Sequence, residues 1–208
     1  MNLLPTALAV VLMACVGVAH AQALPKPKEF YFDEDSAAAP IVVVEGQGEA
    51  LAEKLLRERE RGRRKIEATA QLAHVAMTSD RIELGETLYQ QAVAATSDNS
   101  STGRGVRWNY GWDLYRSGKP AAALAQWSEA INGLGGPSWV PPTLAVALWK
   151  LDRRSEALEW YAAAVRTFPR RWTSATSSNQ VLPQWRQEDR DLLAEIHAAW
   201  QANPPTWP

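Results

Sequence analysis

This chain of 208 residues holds one cysteine, three phenylalanines and almost no excess of either charge. Twenty-two basic residues stand against 23 acidic ones, a formal net charge of −1. That balance excludes a dedicated nucleic-acid binder, which requires a dominant basic field. After the first apolar run, no later run is long enough to span a bilayer. Catalytic signatures are missing too, with no GxSxG, HExxH or CxxC anywhere. Gly111 to Lys119 offers no P-loop, because Asp113 stands where glycine is needed and Pro120 where Ser or Thr is needed. Carboxylates such as Glu156/Glu159 and Glu188/Asp189/Asp191 lie beside arginines and read as solvated pairs on helix faces. No catalytic residue, metal ligand or cofactor is therefore expected. A hydrophobic fraction of 46% with 22% charged excludes wholesale disorder. The excess is in tryptophan, of which there are ten.

Residues 1–21 read as a secretory signal peptide. Leu3 to Val18 is mostly apolar and uncharged, and Ala19-His20-Ala21 has the small residues that signal peptidase requires. The n-region is weak, with only the amino terminus as positive charge. Cleavage after Ala21 removes Cys15 and His20, leaving no thiol for a disulfide or a nucleophile. The expectation is an exported protein, placed in a bacterial periplasm. A rival reading takes Leu12-Met13-Ala14-Cys15 as a loose lipobox, and membrane association is expected only through a lipid on Cys15. An uncleaved anchor is disfavoured by Pro5 and Gly17.

Residues 22–48 form an acidic, proline-punctuated tail, expected to be extended or disordered. It contains two apolar islands, Phe30-Tyr31-Phe32 and Ile41-Val42-Val43-Val44. It reads as a linker, with the alternative that a short stretch of it packs onto a groove or a partner's sheet edge. Residues 49–62 read as a charged lead-in helix. Glu53/Arg57 and Glu60/Arg64 are spaced i,i+4 in the favourable order. The seven basic residues from Lys54 to Lys65 are interleaved with acids and read as a solvated face.

From residue 63 to 169 the chain repeats. Gly111, Ala123, Trp127 and Ala130 recur 34 residues later as Ala145, Ala157, Tyr161 and Ala164. A constant period of this size marks stacked supersecondary units. Small residues fall where paired helices must approach closely, and Leu114, Trp127, Leu148 and Tyr161 fill the space beside them. Ser117 to Pro120 and Asp152 to Ser155 make the turns. An earlier, degenerate unit carries Ala73, Asp80, Gly85, Tyr89 and Ala92 in the same frame, with four extra residues in the polar loop Thr96 to Gly103. Asn99-Ser100-Ser101 in that loop is formally a glycosylation sequon. Residues 170–208 are expected to hold an irregular segment and a last helix, beginning near Pro183, that caps the stack.

The pattern resembles the tetratricopeptide repeat family. The resemblance rests on the 34-residue period, small residues at the eighth, twentieth and twenty-seventh places, and an aromatic at the twenty-fourth. The family's usual tryptophan at the fourth place is absent. The resemblance implies an all-α solenoid of stacked antiparallel helix-turn-helix units, about three hairpins plus a C-terminal capping helix. It also implies a concave groove lined by the first helix of each hairpin. Carried over place by place, that groove takes His74, Trp108, Trp112, Tyr115, Arg116, Trp149 and Lys150, with Met77 and Val146 beside them. The family's carboxylate clamp is not recognisable: Asn109 matches one place, but Ala70 and His74 stand where lysine and asparagine are expected.

Trp108, Trp112 and Tyr115 share one helical face from their spacing alone. Aromatics with flanking cations suit a peptide with apolar anchors. The alternative is that this stripe is packed core, covered by the N-terminal tail. Trp127 and Trp160 belong to second helices and read as core. The functional expectation is a non-catalytic adaptor for a protein or peptide partner in the cell envelope. The runner-up is a carbohydrate or peptidoglycan binder that stacks tryptophans on sugars. Joining of copies of the chain into a homo-oligomer is a further partner reading, and no nucleic acid is expected.

Overall fold

Repeated turns organise the molecule. In the computed structural model, the described residues are 23–27, 38–97, 100–131, 137–173 and 185–206. The export segment, Phe30-Tyr31-Phe32, Asn99 and Trp207 lie outside them. Among the described residues the chain is all-α, with nine helices and no strand. They are α1 (Gly48–Arg61), α2 (Lys65–Thr78), α3 (Ile82–Ala94), α4 (Ser101–Arg116) and α5 (Pro120–Ser128). They continue as α6 (Val140–Lys150), α7 (Arg154–Thr167), the single-turn α8 (Pro169–Trp172) and α9 (Gln187–Ala202).

Three turns share one hydrogen-bond pattern. Arg81, Lys119 and Arg153 each donate a backbone N–H, at 2.9 Å, to the carbonyl five residues back, at Ala76, Leu114 and Leu148. The residue before each donor lies in the left-handed region: Asp80 (φ 61°), Gly118 (φ 79°) and Asp152 (φ 58°). This is the Schellman ending of a helix, and it satisfies carbonyls that the last turn leaves unpaired. It recurs after α2, α4 and α6, and each time a three-residue link leads into the next helix. Prolines open α5 and α8 and sit in the first turn of α6, where a missing N–H is harmless.

Packing follows the turns. α2 lies on α3, α4 on α5 and α6 on α7, and each pair packs on the next. α1 covers the outer side of α2 and buries Leu51 and Leu55. At the other end α9 packs on both α6 and α7. The closest approach is at Gly111 in α4. A Cβ there would lie 2.0 Å from Trp127 Nε1 of α5, so only glycine lets this indole lie flat on the helix. The same Nε1 donates to the Trp108 carbonyl at 3.3 Å. Trp127 is fully buried and Trp160 nearly so. Burying one such ring contributes about 3 kcal/mol relative to exposure.

Candidate functional site

The first helices α2 and α4 pack side by side, and residues 38–47 lie across them without helix or strand. Two side-chain amides hold this strap. Gln71 of α2 accepts from the Val43 and Val44 N–H groups at 2.7 and 3.1 Å, and donates to the Val44 carbonyl at 2.7 Å. Asn109 of α4 accepts from the Ile41 N–H at 3.2 Å and donates to the Ala39 carbonyl at 2.9 Å. Every one of these bonds goes to main chain. The hold is therefore indifferent to the side chains of the strap. Ile41, Val43 and Val44 rest on the core, while Val42 stays half exposed.

Between strap and helices lies a cavity of about 790 Å³. His74, Trp108, Trp112 and Arg116 all line it, so four of the sequence-derived groove residues meet there. Trp112 is the hub of an aromatic cluster. Its ring centroid lies 6.1 Å from Trp108, 5.6 Å from Tyr115, 5.0 Å from Trp127 and 4.7 Å from Trp185, all edge to face. Arg116 sits 5.1 Å over the Trp112 ring. With 1% exposure, Trp112 is a wall under other side chains; Trp108, at 6%, is only slightly more open.

Tyr115, Arg116 and Lys150 line a second, smaller cavity of about 350 Å³ together with Asp189. Arg116 stands between the two. Its guanidinium is 3.7 Å from Asp189, which also accepts the Arg186 N–H at 3.1 Å as it opens α9. Burial raises the Asp189 carboxyl above its ordinary range, against the pull of that N–H and of Arg116. Burial and the neighbouring Arg186 lower Arg116, against Asp189 and Asp113. Trp149 borders neither cavity. Its ring is covered by Arg154 at 3.9 Å, and its Nε1 reaches Glu195 of α9 at 3.4 Å.

The floor of the larger cavity holds a buried charge. The Asp113 carboxylate, 4% exposed, accepts from the Tyr89 hydroxyl at 2.7 Å and lies 2.9 Å from His74 Nδ1. Burial first, and then the Asp113 charge, raise the Tyr89 phenol well above its ordinary value. The His74 ring is half exposed toward the cavity that it lines. An aspartate on Nδ1 of a histidine also orients the base in acyl-transfer enzymes. Among the described residues no hydroxyl or thiol bonds Nε2 of His74, and no group of three or more metal-ligating side chains is found.

Three contributors escaped the sequence reading: Gln71, Asp113 and Trp185. Gln71 is a polar residue inside an apolar helix, a faint signal that it has a buried partner. Asp113 gives no such signal, because α4 carries polar residues along its whole length. Trp185 reaches Trp112 from the far end of the chain, and no local pattern announces that contact. No helix among the described residues is long and apolar enough to cross a membrane. Comparison with known proteins finds no matching family model, no matching curated protein and no matching solved structure.

Proposed function

We propose that the chain is a non-catalytic, exported adaptor of tetratricopeptide-like build that binds a protein or peptide partner in the cell envelope. The observation that carries this reading is the amide hold on the strap. Gln71 and Asn109, on successive first helices, already take a peptide main chain into the face that the repeat resemblance assigns to binding. The three alike turns support the solenoid part of the reading, since stacked units need one geometry repeated. The export part rests on residues 1–21 alone.

The sugar-binding alternative needs open tryptophan faces. Seven of the nine described tryptophans are buried, and Arg154 covers Trp149. Half-buried Trp200 is the other described ring, and it leans on Tyr161 and His197.

The test is a pull-down from envelope extract with the wild-type chain and with a His74→Ala/Asn109→Ala variant of unchanged helical signal. One protein retained by the first and lost by the second is the expected result. Equal retention, or no protein partner at all, counts against the proposal. Sedimentation with purified cell wall reads the sugar alternative in parallel.

A further inference from the structure

We infer that residues 39–44 are a stand-in occupant of the binding face. The true ligand is a non-helical apolar segment of the partner, with side chains bulkier than the strap's valines, that displaces them. This inference rests on the adaptor reading and goes further by naming the ligand and what bars its way.

The seat has room beside the strap. A solvent-open cleft of about 790 Å³ is bordered by Pro40, Ile41, Val42 and Val44. The opposite wall is aromatic, formed by Tyr89, Trp108 and Trp112. Valines leave space there that a Phe or Leu side chain would enter. Trp112 Nε1 and Arg116 Nε are buried behind this wall without partners, and a rearrangement of the wall on binding would open them to the carbonyl groups of a segment.

The strap is also built to leave. Its hydrogen bonds to Gln71 and Asn109 go to main-chain groups, which any incoming peptide carries equally. Val42 is 50% exposed. Gly46 (φ 145°) and Gly48 (φ 63°) lie between the strap and the body of α1, in backbone conformations that glycine adopts freely. Rotation there would swing residues 39–44 away while Leu55 of α1 keeps its place in the core.

A full-length Val43→Pro/Val44→Pro variant removes both N–H donors to Gln71 from the strap side and leaves the face intact. The probes are fluorescent peptides of residues 38–48, one with the native sequence and one with Val44→Phe, read by anisotropy. The variant should bind the native peptide about tenfold or more tighter than wild type does, because the competing occupant is weakened. The Val44→Phe peptide should bind roughly fivefold tighter again through added apolar burial. Gln71→Ala in the same variant should weaken both by about fivefold.

Binding of neither peptide by a folded variant would overturn the inference, and so would equal binding to variant and wild type. Should the two prolines unfold the chain, hydrogen exchange at the Val43 and Val44 amides of the wild type reads the same event. Saturating Val44→Phe peptide must accelerate it, and unchanged exchange is equally fatal. A failure here with a successful pull-down leaves the adaptor reading standing with its binding face elsewhere; an empty pull-down removes that reading by itself.

Discussion

Two hydrogen-bonded hubs lie in the two halves of the molecule, and they are built from opposite materials. In the first half, Asp113 brings a charge into the core and gathers Tyr89 and His74 around it. In the second, the neutral Tyr161 hydroxyl donates to the Trp172 carbonyl at 2.7 Å and meets His197 Nδ1 at 3.0 Å. The charged hub borders the large cavity. The neutral one is enclosed by Trp172, Trp200 and α9. Burying an unpaired carboxylate is far more costly than burying a hydroxyl, so a chain that needs only a seal has reason to choose the hydroxyl. The charge is kept where half-exposed His74 connects it to the larger cavity.

Asp113→Ala should break this comparison most sharply. It strands the Tyr89 hydroxyl without a partner and should cost about 3 kcal/mol. The melting temperature should then fall by roughly 6–10 °C for a chain of this size. Tyr161→Phe should do less, about 1–2 kcal/mol, because it removes one hydroxyl and keeps the ring that fills the space. An equal loss from both variants in thermal melts would erase the distinction between the hubs.

Gln71→Ala should cost only about 1 kcal/mol while freeing the strap. Its signature is cleavage near Val42 by a limiting dose of protease, with the helical signal intact. The smallest effect is expected at Asp189. Its folded carboxyl titrates above its ordinary value, so the folded state holds the proton more firmly than the unfolded one. Its contribution to stability therefore falls as pH rises from the ordinary carboxylate value through the raised one. Asp189→Asn keeps an oxygen for the Arg186 N–H and should flatten that part of the stability–pH curve, as read by denaturant melts between pH 3 and pH 7 or so.

How much was legible in advance also differs between features. Turns at Asp80, Gly118 and Asp152 could be located from a repeating pattern, because a Schellman ending is a local event with local residue preferences. Small residues at close approaches were legible for the same reason, as Gly111 under Trp127 illustrates. The aromatic stripe on α4 was visible, but its depth was not. Whether Trp112 lines a groove or a wall depends on Trp185, whose approach is fixed by the packing of α9 rather than by anything near residue 112. Asp113 read only as an interruption of a glycine pattern, since its partners come from α2 and α3. By its sequence the strap reads as a linker. Its seat is written in Gln71 and Asn109, and a glutamine or asparagine in a helix gives no sign of which distant main chain it holds.

The strap's bond from Ile41 to Asn109 spans 68 residues of chain. Synthesis runs from the amino terminus, so the strap is made before either of the helices that will hold it. It can take its place only once α2 and α4 lie side by side, and contacts so distant along the chain form late because they close long loops. During that interval three consecutive valines are unsheltered, and the face of α2 and α4 that they will cover is open. The strap is made early and seated late, after the helices that hold it have paired.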